Sequence, residues 1–313
     1  MNRRQLLLRG FQGSAALGIA KALHNTTVGY GHFGIGDNLK SQELQPLLAE
    51  GIRIPYSTEL QLVDQTVRVR GSTREYRTSN TWHPIEANAP EAVLAVDRAI
   101  EELVSGTFSA SFHDPAAFFA YCDGSTPNPA VVELIRGDRL PPADPDNVEA
   151  FTGADPKDSR AIVTGLVDGY RTHGRYDIPR YIAGAIEDNL IFGRGDLREP
   201  FRPEESIEAL LEADRPVGLF CTELTRLGIR SVHATPASTQ SPPIFGFYVR
   251  NRRHKHAYSG FGSAVVTDDG LHLPITFVDY THTTLYNDLA VDRVIGTGFD
   301  AYTSNHRADQ FIF

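Results

Sequence analysis

The chain has 313 residues, a formal net charge of −9 and a hydrophobic content of 41%. This length suits one large domain or two average ones, and the composition is that of a globular protein with a substantial core. Because binding to phosphates requires a basic face, the negative charge argues against nucleic acid as a partner. The two cysteines, Cys122 and Cys221, permit one disulfide at most and exclude a disulfide-stabilised scaffold.

Residues 1–24 resemble a twin-arginine export signal. Arg3-Arg4 precede a run of leucines, and Ala20-Lys21-Ala22 is similar to a small-x-small cleavage site. The same segment also fits an amphipathic first helix of a cytoplasmic protein. The sequence therefore predicts export to the cell envelope or exterior, with a cytoplasmic location as the alternative. No later run approaches about 18 apolar residues, so we expect no integral membrane span.

A glycine-rich stretch follows, in which Gly29, Gly31 and Gly34 have the spacing of a dinucleotide-binding turn. The strand before these glycines would be short, and the next predicted helix, over residues 41–50, begins only after a polar break. We therefore expect an ordinary glycine-rich loop and no bound cofactor.

The rest of the first half predicts a mixed α/β domain over residues 25–140. Alternating apolar residues predict two short strands near residues 60–69, and helical spacing predicts a helix over 89–104. Asp114-Pro115 and Asn128-Pro129 each pair a helix-capping residue with a proline suited to the first helical position, so a short helix should follow each. Cys122 ends the first of these helices and is expected to be a buried thiol.

Residues 139–157 are rich in proline and aspartate and predict an exposed boundary before a second domain, residues 158–313. The second domain begins with helical patterns, which cover residues 162–170, 178–191, 207–211 and 214–228. Strand patterns follow at residues 229–234, 245–250, 256–266 and 271–280, with Asp268-Asp269-Gly270 as a hairpin turn. Helices followed by an antiparallel sheet predict the α+β class.

Three segments of this half carry a family resemblance. The helix ends in LTRLGIRSV, one strand opens with HAY at His256, and a later strand ends in FVDYT, which contains Asp279. Together they resemble the core of the transglutaminase-like superfamily, whose fold is related to that of papain. The resemblance covers residues 158–282. It implies a catalytic Cys-His-Asp arrangement in which His256 is the base and Asp279 is the acid that orients it.

The position of Cys221 leaves two alternatives for the nucleophile. In the family, the catalytic cysteine begins the helix, three to four turns before its Gly-Ile dipeptide, whereas Cys221 lies less than two turns before Gly228-Ile229. Either the helix is shorter and begins at Cys221, or Asp214 or Arg215 occupies the place of the thiol. The helical spacing of Cys221 with its apolar neighbours, Val217 and Leu224, favours the second alternative and a core position for Cys221.

The histidines suggest a rival metal site. His254 and His256 would share one face of a strand, and Asp279 or His282 could complete the ligand set. Cations at positions 252, 253 and 255 argue against it, because they repel a divalent ion, so no metal is expected. Among the remaining histidines, His272 should pack or face water, whereas His32, His83 and His113 are isolated.

The favoured hypothesis is an amide-directed thiol hydrolase, peptidase or acyl transferase that acts on a peptide or protein substrate through Cys221, His256 and Asp279. The alternatives are a non-catalytic binding or structural protein on the same scaffold, or a metal-binding protein. The sequence does not determine the oligomeric state. The catalytic hypothesis requires the Cys221 thiol to be solvent-accessible and to lie within hydrogen-bonding reach of His256.

Overall fold

The computed structural model describes residues 59–62, 65–70, 73–105, 108–136, 140–177, 180, 183, 196–251, 256–281, 308 and 310–312. The predicted export segment, glycine-rich loop and helix at 41–50 lie outside these residues. So does the helix predicted over 178–191, apart from residues 180 and 183.

Seven α-helices are described. They are α1 (Glu91–Ser105), α2 (Pro115–Asp123), α3 (Pro129–Arg136), α4 (Pro145–Thr152), α5 (Ser159–His173), α6 (Ile207–Glu212) and α7 (Cys221–Val232). The predicted caps of α2 and α3 are confirmed. The Asp114 side chain accepts a hydrogen bond from the Ala117 N–H, and that of Asn128 accepts from the first turn of α3.

The strands form three sheets. They are β1 (Glu59–Leu62), β2 (Gln65–Arg70), β3 (Thr73–Thr78), β4 (Thr81–Pro84), β5 (Ser109–Phe112), β6 (Gly174–Tyr176), β7 (Val217–Leu219), β8 (Phe245–Asn251), β9 (His256–Gly262), β10 (Val265–Thr267), β11 (Gly270–Val278) and β12 (Gln310–Ile312). The first four strands form an antiparallel meander, β6 pairs with β7, and the other six strands form the main sheet. The α+β prediction is confirmed.

The main sheet has the order β10-β11-β9-β8-β12, and β5 pairs in parallel with β11. Alternate side chains of β8 lie on opposite faces, as the pleat requires. Phe247 packs into a cluster with Val96 of α1 and Val131 of α3, whereas Tyr248 belongs to a cluster with residues of α7. Helices therefore cover both faces of the sheet.

Three sequence predictions in this region are wrong. The helix predicted over 214–228 begins only at Cys221, because Val217–Leu219 forms a strand that pairs with β6. The strand predicted over 229–234 is instead the end of α7, and Gly228 lies inside the helix. A Cβ atom at Gly228 would lie 3.0 Å from the Tyr280 ring, so the absence of a side chain at Gly228 lets α7 pack closely against Tyr280. The strand predicted over 256–266 is interrupted and forms β9 and β10.

The proline-rich segment 139–157 is not an exposed loop over its whole length. It contains α4, which Asp144 caps, and Val148 and Phe151 of this helix are buried. Moreover, residues from both sides of the segment share one hydrophobic cluster, and β5 pairs with β11 across it. The division into separate domains stays a prediction. No helix within the described residues is long and apolar enough to cross a membrane.

Candidate functional site

Cys221 is the first residue of α7, directly after β7 and the N-cap residue Phe220. Glu223, two residues further along, holds this turn in place because its Oε2 accepts a hydrogen bond of 2.7 Å from the Phe220 N–H. The first N–H groups of an α-helix have no intrahelical acceptor, and the helix dipole places partial positive charge beside them. The thiol therefore lies where a negative charge is stabilised.

A buried ion pair between Arg180 and Glu223 anchors the first turn of α7 to the residues that follow β6. Arg180 Nη2 donates a hydrogen bond of 2.7 Å to Glu223 Oε1, and the Arg180 guanidinium lies 4.2 Å from the centre of the Phe220 ring. The backbone N–H of Arg180 in turn donates to Asp177 Oδ1. Because both carboxylate oxygens of Glu223 are engaged, the start of α7 is fixed from two directions.

His256 begins β9, and Asp279 directly follows β11. The two residues are 3% and 0% exposed, and Nε2 of His256 lies 2.7 Å from Asp279 Oδ2. The second oxygen, Oδ1, accepts from the Thr281 N–H. With Asp279 as the acceptor, Nε2 carries a proton and donates it, which leaves Nδ1 for another partner.

The Cys221 thiol lies within hydrogen-bonding reach of this imidazole. Burial alone lowers the pKa of His256, but the charge of Asp279, its hydrogen bond and the nearby thiol together raise that pKa to about 10. His256 therefore carries a proton at neutral pH, and its positive charge lies beside the Cys221 thiol. The structure thus brings together all three residues that the sequence analysis selected.

Cys221 is also largely buried. It is 7% exposed and packs in a cluster with Ile229, Tyr248 and Ala257. The predicted core position of Cys221 is confirmed, and the thiol has little of the solvent accessibility that the catalytic hypothesis requires. The predicted helical face shared with Val217 is wrong, because Val217 lies on a strand. Of the two alternatives, the structure has the shorter helix that begins at Cys221.

A cavity of ≈ 250 Å³ adjoins this cluster between α7, β8 and β12. Its apolar wall comes from Ile229, Tyr248 and Ile312, which also belong to or pack against the Cys221 cluster. The rest of the cavity lining includes Thr222 and three arginines, Arg136, Arg226 and Arg250. This cavity could not be predicted from the sequence, because its residues come from elements that are distant in the chain.

Glu223 and Arg180 were also missed. Glu223 is the third residue of α7, and an acidic residue there is typical of a capped helix start. It would have been recognisable had the helix been predicted to begin at Cys221.

The chain matches no protein-family model, no curated protein and no solved structure.

The remaining predicted site residues have mixed outcomes. Cys122 is buried as predicted, and burial raises its pKa to about 12. His254 and His282 of the rival metal site lie outside the described residues, and no three potential metal ligands cluster within those that are described.

His113 is not isolated as predicted. The Ser111 hydroxyl lies 2.7 Å from His113 Nε2 and 2.9 Å from His272 Nε2, and Tyr121 Oη lies 2.7 Å from His272 Nδ1. Strand pairing between β5 and β11 brings these distant residues together, which no local pattern could indicate.

Proposed function

We propose that this protein is a cysteine-dependent amide hydrolase or acyl transferase of the transglutaminase-like kind, with Cys221 as nucleophile, His256 as proton shuttle and Asp279 as the residue that orients the imidazole. One observation carries the proposal: a thiol on the first residue of a helix lies beside an imidazole that is held by a buried carboxylate. Each of these features is a known way to produce a reactive thiolate at neutral pH.

In the first half of the proposed reaction, the Cys221 thiolate attacks the carbonyl carbon of the amide. Negative charge then develops on the carbonyl oxygen, and the N–H groups of the first turn of α7 would stabilise it. His256 gives its proton to the leaving nitrogen as the C–N bond breaks. An amine departs, and a thioester remains on Cys221.

In the second half, neutral His256 accepts a proton from water or from an acceptor amine, which attacks the thioester carbonyl. With water the products are a carboxylic acid and the free thiol, and with an amine they are a new amide and the free thiol. Asp279 keeps the imidazole in one orientation throughout because its two oxygens are held by His256 and by the Thr281 N–H.

The non-catalytic alternative draws on the burial of Cys221, which is only 7% exposed. Under that hypothesis the thiol is a packing residue of the apolar cluster, and His256 with Asp279 is a structural ion pair.

Acylation by p-nitrophenyl acetate separates the two functions. We expect the folded protein to release nitrophenolate in a burst and to carry one acetyl group on Cys221, removable by hydroxylamine, as a thioester should be. Cys221→Ala should abolish the burst, and Asp279→Asn should slow it about tenfold or more. Cys122→Ala is the matched control and should retain it. Acetylation that is absent, or that persists in Cys221→Ala, would refute the catalytic proposal.

A further inference from the structure

We infer that the cavity beside Cys221 binds a carboxylate of the substrate, so that the preferred acyl donor is an acidic peptide whose negative charge lies next to the scissile amide. This inference rests on the proposed function for its chemistry. The presence of an anion site, however, can be measured independently of any reaction.

The cavity has the right position. Thr222 is the neighbour of Cys221 in the first turn of α7, and it lines the cavity. Tyr248, on the facing strand, lines the cavity and also packs in one cluster with Cys221. The cavity and the thiol are therefore joined through Ile229 and Tyr248, which line the cavity and pack in the Cys221 cluster.

The cavity also has the right charge. Arg136, Arg226 and Arg250 line it, and among the described residues no carboxylate does. This accumulation of cations is unusual in a chain whose net charge is −9. A concave site lined by one sign of charge raises the local concentration of the opposite ion.

The three arginines have different roles. Arg136 is buried at the cavity floor, where its side chain donates to the backbone oxygens of Val232, Thr235 and Ile244. Arg136 also pairs with Glu133 at 3.4 Å, so its donors are occupied and part of its charge is compensated. Burial lowers its pKa to about 10, so it remains charged at neutral pH.

Arg226 and Arg250 are the residues available to a ligand. Arg226 Nη1 donates to both carboxylate oxygens of Glu205, at 3.1 and 3.2 Å, and its Nε and Nη2 groups have no hydrogen bond to a described residue. Arg250 is exposed and forms no ion pair with any described residue. Both arginines line the cavity together with Tyr248, so a carboxylate bound there would lie within the field of both cations.

The size of the cavity limits the ligand. A volume of ≈ 250 Å³ is near the lower end of the range for small-molecule sites, so it suits one side chain or a chain terminus. Both of these ligands would present a carboxylate on a short apolar chain. The apolar chain would contact Ile229 and Ile312, and the carboxylate would pair with Arg250 and Arg226.

The test compares two alkylating reagents of similar size, anionic iodoacetate and neutral iodoacetamide, on folded protein with Cys221 followed by mass spectrometry. The ratio of the iodoacetate rate to the iodoacetamide rate should be about threefold or more above that of the same cysteine in urea. Arg250→Gln and Arg226→Gln should each lower the ratio toward the unfolded value. The ratio is the quantity compared, because a change in the general reactivity of Cys221 affects both rates equally and cancels. The matched control Arg98→Gln removes an exposed cation of α1 and should leave the ratio unchanged.

Direct binding of glutarate, measured by calorimetry on the wild type and on Cys221→Ala, keeps the inference testable if the thiol is inert. We expect saturable binding that weakens with salt and weakens about tenfold in Arg250→Gln. Inertness of Cys221 toward both reagents would refute the catalytic proposal alone. Equal rate ratios in folded and unfolded protein, or glutarate binding that is absent or unchanged in Arg250→Gln, would refute the anion site alone.

Two peptides distinguish the possible sources of the carboxylate. Acetyl-Ala-Glu-Ala-amide carries it on a side chain, and acetyl-Ala-Gln-Ala carries it at the chain terminus. Each is tested for protection of Cys221 against iodoacetamide in wild type and Arg250→Gln. Protection by either that depends on Arg250 supports the site and identifies its ligand, whereas protection by neither contradicts the acidic-peptide assignment.

Discussion

The two cysteines show how surroundings decide the chemistry of one side chain. Cys122 is 2% exposed in an apolar cluster, and burial raises its pKa to about 12, so it remains a neutral thiol. Cys221 has similar exposure but begins a helix and lies beside a protonated imidazole. The proposal that Cys221 is a nucleophile therefore rests on its neighbouring charge, since its burial is like that of Cys122.

The His256–Asp279 pair predicts how stability depends on pH. The pKa of His256 is raised to about 10 in the folded protein, above its unfolded value near 6.5. Its contribution to stability is therefore fully present below pH 6.5 and is lost as pH rises toward 10. Asp279→Asn should therefore cost a few kcal/mol of stability at pH 6 and clearly less at pH 10. Urea denaturation at a series of pH values measures this.

His233 should make the folded protein less stable at acidic pH. Burial and the charge of Arg136 hold the pKa of His233 well below its usual value, and its Nε2 accepts from the Gly246 N–H. As the pH falls, His233 is protonated in the unfolded chain before it is protonated in the folded protein. The stability of the fold should therefore decrease below about pH 6.5. A pH-independent stability between 5 and 10 would contradict both assignments.

Helix α7 illustrates what the sequence could and could not predict. Its end was misplaced because Gly228, a normal helix stop, is used instead for close approach to Tyr280. Its start was misplaced because Val217 fits the apolar helical face, and only pairing between β6 and β7 makes it a strand. His256 and Asp279 were selected from the short motifs HAY and FVDYT, which lie at the start of β9 and the end of β11. The missed helix α4 carried a local signal, Asp144-Pro145, like those before α2 and α3.

Packing between β8 and β9 gives a prediction for one strand pair. Gly260 of β9 lies under Phe247, and a Cβ atom there would be 2.2 Å from the ring. Since Phe247 is fully buried, it has no room to move, and Gly260→Ala should destabilise the fold by about 1–3 kcal/mol. Gly124→Ala is the matched control, because its new Cβ would meet nothing closer than 3.4 Å. Equal unfolding midpoints for the two variants would contradict the described packing.

The whole molecule has one sheet to which both halves of the chain contribute. Strand β5 pairs with β11, and Val96 and Val131 from the first half pack against Phe247 and Phe277 from the second. These contacts cross the predicted boundary at 139–157. Local composition indicated a linker there, but composition cannot report which strands pair.

A fragment of residues 158–313 tests this organisation. Without β5, α1 and α3, it would leave one face of the sheet uncovered, so it should bind a hydrophobic dye and lack a cooperative thermal transition. The full chain is the control and should melt in one transition. Cooperative melting of the fragment alone would instead support the predicted division into two domains.

The central claim is that Cys221 is a reactive thiol paired with His256, and its rate of alkylation by iodoacetamide in the folded protein tests this most directly. We predict rapid modification of Cys221 in the folded protein at neutral pH, whereas Cys122 reacts only on unfolding. His256→Ala should slow the modification of Cys221 at the same pH about tenfold or more. Protection of Cys221 until the protein unfolds would contradict the account.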